Sequence, residues 1–166
     1  MTELIPFDSR HSYEFFKLTD KNRNYLRKWL PWLDLIKSEK DTAEFLRKSL
    51  ITDLEGTSLN YFIIQDKNII GTIGLRDITQ EKAIIGYWID EDQQGKNITS
   101  QSLQTLIKNV QNKKITQSII LRCSPTNIAS STVARKCGFK YIKTLKDAEN
   151  LYGKYNDLDV YEYYLT

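Results

Sequence analysis

The segment at residues 84–98 constrains the fold of this chain more than any other stretch. An apolar run, Ile-Ile-Gly-Tyr-Trp-Ile, fills residues 84–89, and a polar stretch leads from Asp90 into a helical pattern that begins near Ile98. This order predicts a strand, a loop and the start of a helix. A loop that feeds a helix N-terminus directs unpaired main-chain N–H groups and the positive end of the helix dipole at one point, which favours a phosphate. The segment therefore predicts a phosphorylated ligand.

Further strands and helices surround this segment. The pattern predicts strands at residues 4–7, 61–64, 69–75, 83–89, 118–123, 139–145 and 155–165. It predicts a first helix that is capped by Asp8 or Ser9 and contains residues 15–18. Further helices are predicted around residues 25–30, 41–54, 98–110 and 127–137, with Pro31 ending the second helix and Asp41 and Glu44 in a capping arrangement on the third. A strand, a helix and a strand in succession imply a right-handed crossover between parallel neighbours. The prediction is one domain, residues 1–166, of the mixed α/β (α+β) class, with a mostly antiparallel twisted sheet and covering helices.

Charge and composition disfavour several classes of protein. The 166 residues include 24 Lys and Arg and 21 Asp and Glu, a formal net charge of +3, with both signs interspersed. This pattern is typical of a solvated surface, so no direct nucleic-acid partner is expected. No apolar run nears the roughly 20 residues of a membrane span. Residues 1–8 lack a signal-peptide pattern, so the expected location is the cytoplasm.

Residues that could bind a metal or act as a thiol nucleophile are few. Cys123 and Cys137 are expected as reduced thiols, and with the single histidine, His11, they cannot form a four-ligand Cys/His metal site. No metal is therefore predicted. A Ser-His or Cys-His mechanism would depend on His11 alone and is disfavoured.

A series of motifs resembles a known family. The motifs are Lys-Trp-Leu-Pro-Trp at residues 28–32, Ile-Gly-Tyr-Trp-Ile at 85–89, Gln-Gly-Lys at 94–96, the segment 127–139, and Gly-Lys-Tyr-Asn-Asp at 153–157. In this order they resemble the GNAT superfamily of acetyl-CoA-dependent N-acetyltransferases, and within it the RimJ/RimL branch that acetylates ribosomal-protein N-termini. The resemblance covers nearly the whole chain. It implies a GNAT fold with a splayed parallel strand pair and direct attack of an amine on acetyl-CoA in a ternary complex.

The resemblance also implies a coenzyme site along the loop and the central strand. The family's loop pattern overlays Gln94, Asn97 and Thr99, so Asn97 stands where a glycine is usual. Asn is the non-glycine residue that best tolerates the left-handed conformation, so the loop is expected to persist. Main-chain groups of residues 88–90 are implied to pair with the pantetheine arm. The implied coenzyme contacts are Trp88, Ile89, Asp90, Gln94, Gly95, Lys96, Asn97, Ile98, Thr99, Asn127 and Ser130.

The resemblance assigns two catalytic roles. A main-chain N–H near Ile89 is implied to hold the thioester oxygen as it becomes negative. Ser130 is implied to give a proton to the leaving thiolate, because Ala134 stands where many relatives have a tyrosine acid. Alternative acids are Ser131, Tyr155 and Tyr161. Asn127 has a second interpretation as an ordinary helix N-cap.

The general base and the acceptor site stay open at this level. Ile84 stands where relatives often have a glutamate, which leaves Asp77 and Asp157 as candidate bases, or a mechanism that uses the minor neutral amine. Trp29 and Trp32 either line the acceptor site or close the core.

The predicted function is acetyl transfer to a primary amine, above all a ribosomal-protein N-terminus, by a monomer or homodimer. A small amine, such as a polyamine or an aminoglycoside, is the alternative acceptor. The departures at Ile84, Asn97 and Ala134 leave a second class open, a catalytically inactive acyl-CoA-binding sensor. The net positive charge leaves a third, an RNA-associated protein.

Overall fold

Seven strands form one sheet in the computed structural model, which describes residues 2–166. The strands are β1 (Thr2–Pro6), β2 (Leu59–Gln65), β3 (Asn68–Arg76), β4 (Lys82–Ile89), β5 (Ser118–Cys123), β6 (Lys140–Leu151) and β7 (Lys154–Tyr164). The helices are α1 (Ser12–Lys21), α2 (Arg23–Leu26), α3 (Glu39–Leu54), α4 (Ile98–Asn112) and α5 (Ile128–Lys136). The strand order is β1-β2-β3-β4-β5-β7-β6, and every neighbouring pair is antiparallel except β4 and β5. The predicted mixed α/β class with one parallel pair is confirmed.

Apolar side chains on the two faces of the sheet build two large cores, beside a small third cluster. Leu103, Leu106 and Val110 of α4 are fully buried against one face. The other face carries an aromatic core under α1 and α3, where Phe15 stacks on Trp88 of β4 at 5.9 Å between ring centroids. Neighbouring residues of β4 therefore contribute to opposite cores, as the pleat of a strand requires.

Three local predictions were wrong about where a helix or strand begins or ends. The N-cap of α3 is Ser38, whose hydroxyl accepts the N–H of Asp41 at 3.2 Å, while the Asp41 carboxylate accepts the N–H of Lys37. Helix α2 ends well before Pro31. The first helix contains residues 15–18 as predicted, and Asp8 caps the short 3-10 turn at Ser9–His11 that leads into it. Strand β6 continues six residues past its predicted end at residue 145, because its second half pairs with β7.

The parallel strands β4 and β5 diverge at the carboxyl end of β4. They pair only over four positions, from Lys82 opposite Ser118 to Ile85 opposite Leu121, whereas β4 continues to Ile89. Beyond that point β5 stays paired with β7. On its other side β4 lies so close to β3 that a Cβ at Gly71 would meet the carbonyl oxygen of Trp88 at 2.3 Å. The end of β4 is therefore held from one side and open on the other.

Among residues 2–166, no helix is both long and apolar enough to traverse a bilayer. Within the same range, no cluster of three or more His, Cys, Asp or Glu side chains is arranged to hold a metal ion.

Candidate active site

A cleft opens where β5 leaves β4, and it has two halves. One half is a cavity of about 440 Å³ beside the loop at residues 90–97. The other is a cavity of about 560 Å³ over the aromatic core. Six residues line both halves and mark the junction between them: Trp29, Leu30, Tyr87, Trp88, Asn127 and Ser130. Two ligands, one bound in each half, would therefore meet at this junction.

The main chain of β4 offers unpaired groups to the first half. Asp90 donates its N–H to the carbonyl oxygen of Ile70 on β3 at 2.7 Å. Because neighbouring residues along a strand direct their main-chain groups to opposite sides, the N–H and C=O of Ile89 face away from β3. They point into the space that β5 has left. An extended ligand arm in the cleft would satisfy these groups.

The loop before α4 has the shape that anion binding requires. Gly95 and Asn97 both lie in the left-handed region, with φ of 76° and 64°, so the expected conformation of Asn97 is confirmed. Asn97 makes no side-chain cap on α4, and its amide oxygen accepts a hydrogen bond from Lys136 instead. The first N–H groups of α4 therefore stay available, and the Lys136 ammonium adds positive charge beside them. Thr99 lies in the first turn of α4.

Helix α1 and the residues that follow it hold this loop in place. Asn22 is 3% exposed, and its amide oxygen accepts the N–H of Glu91 at 3.0 Å. Lys21 forms ion pairs with Asp90 at 2.8 Å and with Asp92 at 2.9 Å. Burial would raise the pKa of Asp90, but the hydrogen bonds from Lys21, the Asp92 N–H and Asn22, together with the Lys21 charge, outweigh burial and lower that pKa.

Most of the predicted coenzyme contacts line the first cavity. They are Trp88, Ile89, Gln94, Gly95, Asn97, Ile98, Thr99, Asn127 and Ser130. Two of the predicted contacts are not among its lining residues. Asp90 is buried in its ion pair with Lys21, and the exposed Lys96 donates to the side chain of Gln93 at 3.1 Å.

We expect Asn97→Val to weaken coenzyme binding. A β-branched residue resists positive φ, so the loop would have to change its conformation and redirect its N–H groups. Isothermal titration calorimetry should give a Kd for the coenzyme at least tenfold higher than that of wild type. A tenfold increase corresponds to a loss of about 1.4 kcal/mol of binding free energy. Asn97→Gly is the matched control, because glycine keeps the conformation, and its Kd should stay within about threefold of wild type. Equal Kd values for the valine and glycine variants would contradict this prediction.

Two hydroxyl groups meet at the junction. The side chain of Asn127 caps α5 by accepting the N–H of Ser130 at 3.3 Å, which confirms its N-cap role and fixes Ser130 in the first turn. The hydroxyl of Tyr87 lies 3.1 Å from that of Ser130 and 3.2 Å from the Ser130 carbonyl oxygen. Burial raises the pKa of Tyr87, so it remains a protonated donor. Tyr87 was not among the site residues predicted from the sequence, although strand alternation directs it to the face opposite that of Trp88 and toward α5.

The second half of the cleft contains a carboxyl group that was not among the bases predicted from the sequence. Glu149 of β6 lines this cavity, and burial raises its pKa, partly opposed by the positive charge of Arg76. The structure does not bring Asp77 to either half, since its side chain is 72% exposed and 3.7 Å from Arg76. Asp157 likewise lies outside both linings, where it accepts the N–H of Asp147.

The alternative acids predicted from the sequence lie away from the cleft, whereas the two candidate acceptor-site tryptophans line it. Tyr155 is exposed on the β6–β7 hairpin, Tyr161 is buried in the core, and neither lines the cleft. Trp29 lines both halves, whereas Trp32 lines the second half and stacks on Phe45 at 5.9 Å.

Cys123 lines the second half of the cleft as a neutral thiol. It is 5% exposed, and burial raises its pKa. A protonated thiol is a poor nucleophile, which agrees with direct transfer rather than an acyl-enzyme.

The splayed parallel pair and the uncapped start of α4 agree with the result of comparing the whole chain with known protein families. The acetyltransferase (GNAT) domain family matches residues 2–140. The chain belongs to this family. The predicted resemblance is confirmed, and so is the prediction that the chain is an acetyl-CoA-dependent acetyltransferase.

Individual relatives extend over nearly the full length. A ribosomal-protein-serine acetyltransferase of Escherichia coli (strain K12) is 31% identical over 161 residues, 96% of this chain and 90% of the relative. RimL, a ribosomal α-N-protein acetyltransferase solved with coenzyme A, has 30% identity and a TM-score of 0.96, covering 99% of this chain and 94% of that one. The microcin C7 self-immunity acetyltransferase MccE, solved with acetyl-CoA and AMP, has 25% identity and a TM-score of 0.95, covering 99% and 92%.

Proposed function

We propose that this GNAT enzyme transfers the acetyl group of acetyl-CoA to the N-terminal α-amine of a ribosomal protein. The E. coli relative and RimL are both named for ribosomal-protein acetylation. For this chain the proposal is carried by the junction of the cleft, where Tyr87 and Ser130 border both the loop half and the half that contains Glu149. This proposal puts the enzyme in the cytoplasm, where ribosomal proteins are made.

The first half of the cleft fits the coenzyme. The N–H groups between residues 94 and 99 and the Lys136 ammonium would hold its phosphates. Of the predicted main-chain contacts at residues 88–90, Trp88 and Asp90 direct their groups at β3, so Ile89 is the residue that faces the cleft. The carbonyl oxygen of Ile89 would accept a hydrogen bond from the pantetheine arm, and its N–H would donate to the thioester oxygen as that oxygen gains negative charge. Bound acetyl-CoA supplies the acetyl group as an activated thioester.

The second half fits the acceptor. Glu149 would remove a proton from the acceptor ammonium, directly or through a water molecule, because a carboxylate with a raised pKa is a competent base. Ser130 would give its proton to the departing thiolate and could be reprotonated through the Tyr87 hydroxyl 3.1 Å away. Trp29 and Trp32 would form the aromatic wall against which the first residues of the acceptor lie.

A thiol-release assay with a panel of acceptors tests the proposed function. The panel contains peptides that begin with the N-terminal sequences of ribosomal proteins, the same peptides with a blocked α-amine, a polyamine and an aminoglycoside. We expect thiol release with the free peptides and, by mass spectrometry, one acetyl group on the α-nitrogen.

Other outcomes of the same panel would contradict the proposal. Turnover with the small amines alone would make the enzyme a small-molecule acetyltransferase. Micromolar binding of acetyl-CoA without thiol release for any acceptor would favour the sensor interpretation.

A further inference from the structure

The β6–β7 hairpin, which contains Glu149, projects beyond the rest of the sheet. The pairing of β5 with β7 ends at Cys123 opposite Asp159. Among the described strands, the remaining tip pairs only with itself, through Glu149–Asn156, Asn150–Tyr155 and Leu151–Lys154. A two-stranded ribbon is only marginally stable in water. The position of Glu149 over the cleft therefore depends on what holds this tip.

Tyr152 at the tip makes two hydrogen bonds to one distant segment. Its hydroxyl donates to the carbonyl oxygen of Leu30 at 2.5 Å and accepts the N–H of Leu33 at 3.1 Å. These main-chain groups flank Pro31 and Trp32, in the stretch where no regular helix satisfies them. One hydroxyl therefore satisfies both groups, using its donor and an acceptor lone pair.

The guanidinium group of Arg27 packs against the ring of Tyr152. The guanidinium carbon of Arg27 lies 3.7 Å from the centroid of the Tyr152 ring, and Asp34 holds Arg27 in an ion pair at 3.0 Å. A guanidinium over an aromatic face is an attractive arrangement. Tyr152 itself has φ of 53°, a region that is uncommon and strained for a bulky residue. Its contacts with the neighbouring segment must maintain that conformation.

The segment that Tyr152 holds is the aromatic wall of the acceptor cavity. Trp29, Leu30 and Trp32 all line that cavity, and Glu149 lines it from the hairpin. The hydroxyl of Tyr152 therefore joins two walls of the same cavity that are far apart in sequence.

We propose that Tyr152 is a positioning residue of the acceptor site, whose hydroxyl fastens the hairpin tip to the aromatic wall and so holds Glu149 over the cavity. The inference rests on the proposed function, since it concerns the acceptor half of the cleft. It assigns no contact with the coenzyme to Tyr152.

Release of the tip would admit water to Glu149. The other ionisable groups that line its cavity are Arg76 from β3, Tyr87 from β4, and Arg122 and Cys123 from β5. Burial is the main reason that the pKa of Glu149 is raised, and Arg76 acts in the opposite direction. Hydration of the carboxyl group would therefore bring its pKa down toward the ordinary value.

The test compares Tyr152→Phe with wild type and with Tyr164→Phe, which removes an exposed hydroxyl from the other end of the same hairpin. Tyr152→Phe keeps the ring under Arg27 and removes only the two hydrogen bonds. We expect its KM for the acceptor peptide to rise about tenfold with the Kd for coenzyme unchanged. The acid limb of its kcat/KM profile should move to lower pH. Tyr164→Phe should match wild type in both measurements.

A measurement without turnover separates this inference from the proposed function. Trp29 and Trp32 are two of the three tryptophans, and the third, Trp88, is 8% exposed. Acrylamide should therefore quench the fluorescence of Tyr152→Phe more strongly than that of wild type. An unchanged acceptor KM together with unchanged quenching in the folded variant would overturn the positioning role. If Tyr152→Phe showed increased quenching but wild type acetylated no peptide, the result would support the role of Tyr152 in holding the aromatic wall and would contradict the proposed function.

Discussion

Replacement of Glu149 by glutamine is expected to lower kcat with the acceptor peptide by about 10²- to 10³-fold, the size typical of a lost general base. Glutamine keeps the size and hydrogen-bonding capacity of the side chain but cannot take up a proton. The Kd for coenzyme should stay unchanged, because Glu149 lines only the acceptor half of the cleft. Steady-state kinetics and calorimetry on the same preparation measure both quantities.

The pH dependence gives this prediction a definite sign. Burial raises the pKa of Glu149, and the carboxylate is the active form, so the wild-type rate should fall as pH decreases through a value above that of an ordinary glutamate. That acid limb should vanish in Glu149→Gln. The stabilising effect of a raised carboxyl pKa is present at low pH and is lost as pH rises through that pKa. The glutamine variant should therefore be no less stable than wild type at neutral pH, so unfolding would not explain its lost activity.

Asp77→Asn is the matched control for Glu149→Gln. Asp77 is a candidate base by sequence, but it lies outside both halves of the cleft, and we expect a kcat within about twofold of wild type. A large loss of rate in Asp77→Asn with normal activity in Glu149→Gln would reverse the assignment of the base.

Removal of the Ser130 hydroxyl is expected to lower kcat by about 10²-fold while the Kd for coenzyme remains within threefold of wild type. Asn127 caps α5 through the main-chain N–H of Ser130, so alanine at this position leaves the cap in place. The cost should therefore appear in turnover rather than in folding. Rapid-mixing measurement of thiol release in a single turnover isolates the chemical step.

Tyr87→Phe identifies which hydroxyl gives the proton. The two hydroxyls lie 3.1 Å apart, so their contributions should be coupled in a double-mutant cycle. If Ser130 donates and Tyr87 supports it, Tyr87→Phe should cost less than Ser130→Ala, and the double variant should resemble Ser130→Ala. If Tyr87→Phe lowered the rate more than Ser130→Ala, Tyr87 would be the acid. An undiminished rate in both single variants would mean that Ser130 has only a structural role.

Local sequence signals predicted the strand, loop and helix start that border the first half of the cleft. The apolar run at residues 84–89, the polar loop and the following helix are contiguous, so neighbouring residues carry the whole pattern. The left-handed conformation of Asn97 and the cap at Asn127 also follow from residue type and position.

The acceptor half depends on contacts between distant parts of the chain and escaped prediction. Residues 146–149 read Lys-Asp-Ala-Glu, which resembles a loop, and they are strand only because the hairpin forms with β7. Glu149 therefore gave no signal in its own neighbourhood. Likewise, Tyr152 reaches a segment 119 residues away, so no local pattern indicates that contact.

The short stretch from residue 21 to residue 27 contacts the loop beside one half of the cleft and the hairpin tip beside the other. At one end Lys21 and Asn22 grip the turn that precedes α4, and at the other Arg27 lies against Tyr152. If binding of one substrate orders this stretch, binding of the second substrate no longer has to lose that conformational entropy. Thermodynamic reciprocity then requires that any synergy run equally in both directions, with each substrate improving the affinity for its co-substrate by an identical factor.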